Sequence, residues 1–92
     1  MLENKDNKAL RNRLKRIEGQ IRGIMNMVEE NRSCEEILVQ ISSAKAALHK
    51  TGQVVLEGHI QNCFFENINS GADKEEETKK LAAVIEQFSR IV

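Results

Sequence analysis

Cys34, His59 and Cys63 are the residues of this chain best suited to metal ligation or thiol chemistry. His59 and Cys63 stand four apart, so on a helix they share one face, one turn above the other. Cys34 lies twenty-five residues before His59, in a stretch that reads as one uninterrupted helix. At about 1.5 Å of rise per residue, that separates the two by roughly 37 Å. One protomer therefore does not bring the three together. A second copy running antiparallel supplies the missing piece, and a twofold axis near Ala47–Leu48 generates two equivalent sites per dimer. Ser42, Ser43, Ala44, Ala46 and Ala47 make the centre of that crossing small enough for close approach.

Two thiolates and one imidazole form a soft set of low coordination number. Thiolates favour Cu(I), and three ligands suit a trigonal Cu(I) site. Zn(II) takes a fourth ligand in addition, and Ni(II) or Co(II) recruits more nitrogen or oxygen. The other histidine, His49, falls near the proposed crossing and away from the cluster. Ligation displaces thiol protons, so affinity falls at low pH. A redox-reactive thiol pair is the competing reading, and a lone helical cysteine is otherwise a small buried hydrophobe. Catalysis is not expected: no acid is placed to orient His59 and no oxyanion-hole motif is present.

Three helices must position these groups, in a single all-α domain spanning 1–92. Helix 1 is expected over about Lys5 to Glu30, where Leu10, Leu14, Ile17, Ile21, Ile24 and Val28 recur at alternating spacings of four and three. Asn31–Arg32 breaks the pattern. Helix 2 starts at Ser33, with Ser33 and Glu36 forming a capping box, and continues to about Ile68 with a bend expected at Gly52 or Gly58. Gly71 stops it in the left-handed region. Helix 3 is capped by Asp73 with Glu76 as reciprocal partner, and Leu81, Val84, Ile85, Phe88 and Ile91 form its apolar face. Helix 1 covers only part of so long a second helix, so the antiparallel dimer is also where a thin core gains burial.

The net charge is zero, but its distribution is uneven. Lys5, Lys8, Arg11, Arg13, Lys15, Arg16 and Arg22 face only Asp6 and Glu18, whereas 57–77 is acidic. A basic segment in an otherwise acidic chain suits a polyanion, though Lys/Arg-rich helices are also common solvated faces. The polar N-terminus carries no apolar signal segment and no run reaches membrane-spanning length, which points to a cytoplasmic protein with no membrane partner. In a reducing compartment, two cysteines serve as ligands or reactive thiols rather than as a structural disulfide.

The run NRLKRIEGQIRGI (Asn12–Ile24), a cysteine opening a long helix, QIS at Gln40–Ser42 and the His59-x-x-x-Cys63 pair together resemble the CsoR/RcnR family of bacterial repressors. The similarity spans essentially the whole chain. It implies an all-helical dimer of dimers that binds double-stranded operator DNA without a helix-turn-helix. It also implies that Cu(I) bridges protomers through Cys34, His59 and Cys63, releasing the operator. Family positions for DNA contact match Arg13 and Lys50, with Arg11, Lys15 and Arg16 as neighbouring phosphate contacts. Nickel and cobalt sensors carry extra N-terminal histidines and formaldehyde sensors a proline after the initiator Met, and neither is found here. Persulfide sensors lack the ligand histidine; the alternative that the resemblance leaves is sulfane-sulfur sensing through a Cys34–Cys63 link between protomers. Ser33 and Lys80 stand where copper sensors carry an outer-shell Tyr and Glu, positions that tune coupling.

Overall fold

The structure is a computed structural model that describes residues 4–90; the expected contribution of Ile91 lies outside them. It is all-α. Helix α1 spans Asn4–Glu29 and α2 spans Cys34–His59. A π-helical segment, Ile60–Phe64, continues α2 directly into the short α3, Phe65–Asn69. These three pieces make one rod, which is the long second helix read from the sequence. Helix α4, Lys74–Ser89, completes the chain. Among the described residues, no helix is long and apolar enough to cross a membrane.

Two Schellman motifs set the ends of α1 and of the rod. Asn31 takes φ 58°, and the amides of Asn31 and Arg32 bond back to the carbonyls of Val28 and Met27. Gly71 takes φ 99°, with Gly71 and Ala72 bonding to Ile68 and Asn67 in the same pattern. Asparagine and glycine tolerate this left-handed backbone at the least steric cost. Ser33 caps α2 as its sequence predicts, accepting from the Glu36 amide at 3.2 Å. The reciprocal half of the box is absent: the Glu36 carboxylate is taken by Arg32, whose Nε donates at 2.8 Å. Asp73 caps α4 by accepting from the Glu75 amide at 3.2 Å.

The short turn at residues 30–33 folds α1 and α2 into an antiparallel hairpin, tied across by Gln20 Nε2 donating to Ser43 Oγ at 3.4 Å. The single seam expected on α1 is split. Leu10, Ile17 and Ile24, seven apart, turn toward α2, whereas Leu14, Ile21 and Val28, also seven apart, are 44%, 49% and 56% exposed. On α2, Ile37, Ala44, Ala47 and Thr51 lie against α1, so part of the small-residue cluster serves this hairpin. Leu38, Ile41 and Leu48 stay exposed. Only Ile17 and Thr51 are buried among the described residues, and Thr51 Oγ1 donates to the Ala47 carbonyl at 2.9 Å.

No break in winding falls at the glycines where a bend is expected. The α-helix runs through both Gly52 and Gly58, and winding changes only at Ile60. Gly52 has a packing reason instead: a Cβ there would collide with the Phe88 ring of α4. Phe88 and Leu81 are half-buried on α4, while Val84 and Ile85 are largely exposed. Alanine normally gains about 0.5–1 kcal/mol over glycine inside a helix. Here Gly52→Ala should lower Tm, and the same change in a Phe88→Ala background should raise it; thermal unfolding of the four proteins checks this cycle.

Candidate metal centre and basic face

Cys34 is the first residue of α2, placed there by the Ser33 cap, and it is exposed. His59 is the last residue of α2, and Cys63 lies in the π segment that follows; both are half-buried. The π winding is evident where the Phe65 amide bonds to the Ile60 carbonyl, five residues back. Such turns inside α-helices are frequent at functional positions. Both cysteines are free, and among the described residues no three potential ligands of one chain come together. The separation of Cys34 from the His59–Cys63 pair along one rod stands as the sequence requires.

Helical phase adds what spacing left out. The interval between Cys34 and His59 is seven turns less about 20°, so the two residues share one azimuth on α2. It is the azimuth of Leu38, Ile41 and Leu48, the exposed apolar residues. Leu48 sits near the midpoint between the ligands and, with Leu14, Ile17, Ile21 and Met25, lines an open trough of 520 Å³. The candidate ligands thus occupy both ends of the surface that most needs covering.

The basic residues lie elsewhere. Extending the Gln20–Ser43 register seven residues toward the open end of the hairpin sets Arg13 level with Lys50. At about 100° per residue, Arg13, Arg16 and Lys50 edge the side of the hairpin opposite the trough. Arg11 and Lys15 point away from α2. Arg13 is half-buried and the other four are exposed. Arg22, part of the same basic run, is paired with Glu18 at 3.4 Å. The candidate ligands and exposed apolar residues thus share one side of the hairpin with Arg22 and Lys45, while Arg13, Arg16 and Lys50 edge the other.

Three features escaped the sequence pattern. His49 stacks on Phe88, with ring centroids 5.1 Å apart and planes at 8°. Glu77, within an otherwise exposed acidic run, accepts from Asn67 Nδ2 at 3.3 Å and lies 3.6 Å from the Lys80 ammonium. Gly52, three residues after His49, makes room for the first, but Gly19 and Gly23 are helical glycines with no close neighbour, so the residue type alone does not signal it. The π segment has no sequence signal either.

A helical hairpin with a split thiol–imidazole set on one side and a basic opposite side defines a small helical sensor. Residues 6–89 match the family of metal-sensitive transcriptional repressors. The copper-sensing transcriptional repressor CsoR of Bacillus subtilis is 45% identical over 86 residues, covering 94% of this chain and 84% of the relative. The copper-sensing repressor RicR of Mycobacterium tuberculosis is 36% identical over 90 residues, covering 98% and 90%. Among solved structures, the copper-sensing repressor CsoR with Cu(I) from Geobacillus thermodenitrificans superimposes with a TM-score of 0.87 at 43% identity, covering 97% of this chain and 92% of that one. The nickel-responsive regulator InrS gives 0.78 at 34%, covering 88% and 90%. This chain belongs to the metal-sensitive transcriptional repressor family.

The Ser33 hydroxyl satisfies an amide of the turn that presents Cys34. Ser33→Ala should cost about 1 kcal/mol of stability, read by urea unfolding, and weaken metal binding in a competition titration. Unchanged metal affinity would separate the cap from the site.

Proposed function

We propose that this protein is a Cu(I)-sensing transcriptional repressor that holds double-stranded operator DNA when metal-free and releases it when Cu(I) is bound between protomers. The observation that carries the reading is the shared azimuth of Cys34 and His59 at opposite ends of α2, with the exposed Leu38, Ile41 and Leu48 between them. An antiparallel copy covers these side chains and brings Cys34 of one chain to His59 and Cys63 of the other. Two thiolates and an imidazole satisfy Cu(I) without a fourth ligand. The chain has one further histidine, His49, engaged with Phe88 about 15 Å along the helix from His59. A nickel site built of nitrogen ligands has little support from that arrangement. The copper-sensing relatives, and His59 on the ligand face, likewise favour Cu(I) over sulfane-sulfur cross-linking of Cys34 to Cys63.

Arg11, Arg13, Lys15, Arg16 and Lys50 supply the phosphate contacts, and affinity then falls steeply with salt through counterion release. Three phenylalanines and no Tyr or Trp give no platform for stacking bases, whereas backbone contacts need only cations. The working assembly is a dimer of dimers in the cytoplasm, with no enzymatic activity. A ligand shifts an equilibrium only by its difference in affinity between two states. Here ligation ties the ends of two antiparallel rods and fixes the angle between their hairpins. The basic sides opposite move with them, so the spacing that fits the operator belongs to the untied state.

Operator-bound protein titrated anaerobically should release DNA at about one Cu(I) per protomer, the stoichiometry of two sites per dimer. His59→Ala should keep metal-free operator affinity and lose the response; fluorescence anisotropy reads both, and release by His59→Ala removes that ligand. Complementation tests the partner's role. Cys34→Ala and the double variant His59→Ala/Cys63→Ala should each lack tight binding, yet their mixture should regain about one site per mixed dimer. No recovery on mixing, with the subunits shown by mass spectrometry to exchange, would place the site within one chain.

A further inference from the structure

Two contacts pin α4 to the long rod, and His59 and Cys63 lie between them. Near the start of α4, the Glu77 carboxylate accepts from Asn67 Nδ2 at 3.3 Å. Its side chain is 12% exposed, against 80% for Glu75 two residues earlier. A carboxylate leaves water to this extent only where polar partners meet it. Near the end of α4, Phe88 lies flat on His49 in the notch that Gly52 leaves open. The rod between the pins is the part that changes winding. A π turn holds one residue more than the α turn it replaces, so a change between the two rotates everything beyond it. Pins on both sides couple such a rotation to α4.

We propose that α4 is a strap that carries the state of the metal site to the basic side, with Glu77 and Phe88 as its positioning residues. The proposal rests on Cys34, His59 and Cys63 being the ligand set. Neither Glu77 nor Phe88 is a ligand. Asn67 stands one turn beyond Cys63, and His49 immediately precedes Lys50. When the partner's Cys34 and the local His59 and Cys63 close on one ion, the segment at 60–64 adjusts its winding or tilt. Glu77 holds α4 to the part of the rod that moves. Phe88 then shifts against His49, and the turn that carries Lys50 shifts with it. A strap held at one end transmits nothing, so each pin is required.

Hydrogen exchange followed by mass spectrometry tests this without an operator. In metal-free protein, Glu77→Ala and Phe88→Leu should speed exchange of the amides at 60–64, while Glu77→Gln, which still accepts from Asn67, stays near wild type. In the wild type, Cu(I) should alter exchange at 47–52. That change should disappear in Glu77→Ala and Phe88→Leu and persist in Glu77→Gln, with the thiolate-to-Cu(I) absorption band equal in all four proteins. In parallel, the factor by which Cu(I) weakens operator binding should fall about tenfold in the two disruptive variants. Persistence of the change at 47–52 in either disruptive variant overturns the strap, as does wild-type exchange at 60–64 in both. A wild type without the thiolate-to-Cu(I) band overturns the ligand set, and the metal-free exchange at 60–64 still judges the strap.

Discussion

The thinness of the core among the described residues is the constraint on which the rest of the molecule depends. The chain is a slab of 57 × 28 × 13 Å with a radius of gyration of 17.5 Å, against about 12 Å for a compact chain of this length. One dimension is little more than a helix diameter. Leu14, Ile21, Met25, Leu38, Ile41 and Leu48 meet water in the isolated protomer. Each such side chain is worth about 1.5–3 kcal/mol when fully buried, against net stabilities of about 5–15 kcal/mol for whole domains. In the proposed antiparallel dimer, folding and association are one event, and the candidate ligands at the two ends of α2 are brought together by it.

The division of labour between the two sides of the hairpin follows from helical phase. On α1, two sets of residues seven apart point in two directions, Leu10, Ile17 and Ile24 toward α2 and Leu14, Ile21 and Val28 toward the open side, leaving the remaining arc to Arg11, Arg13, Lys15 and Arg16. On α2, a whole number of turns puts Cys34 and His59 on the trough side, and Lys50 falls on the other. In the proposed repressor, separation of this kind keeps the two thiols of the metal site away from a strongly anionic polymer. It also means that the two functions communicate only through the rigid rods and their packing.

Local hydrogen bonding prepares the ligand positions. The Schellman end at Asn31 and the Ser33 cap turn the chain within four residues and present Cys34 on the first helical turn. At the other end, the rod changes from α to π winding immediately after His59, and Cys63 sits inside the changed segment. A candidate ligand pair that straddles a change of winding has its relative orientation set by that winding.

Helix limits, caps, the long second helix and the separation of Cys34 from His59 were all legible in the sequence, because each is a local or one-dimensional property. Asn31 and Gly71 announce left-handed stops, Ser33 and Asp73 announce caps, and twenty-five helical residues between Cys34 and His59 set their distance by rise alone. The basic run at Arg11–Arg16 was equally plain. The tertiary structure decided the rest. It split the α1 seam between α2 and solvent, gave Glu36 to Arg32, and put Phe88 over Gly52. It also drew Glu77 out of an exposed acidic run to Asn67, and moved the irregularity to 60–64. These depend on which surfaces meet, and a linear pattern records how apolar a position is without recording its partner. Rise and phase are properties of one helix; packing is a property of two.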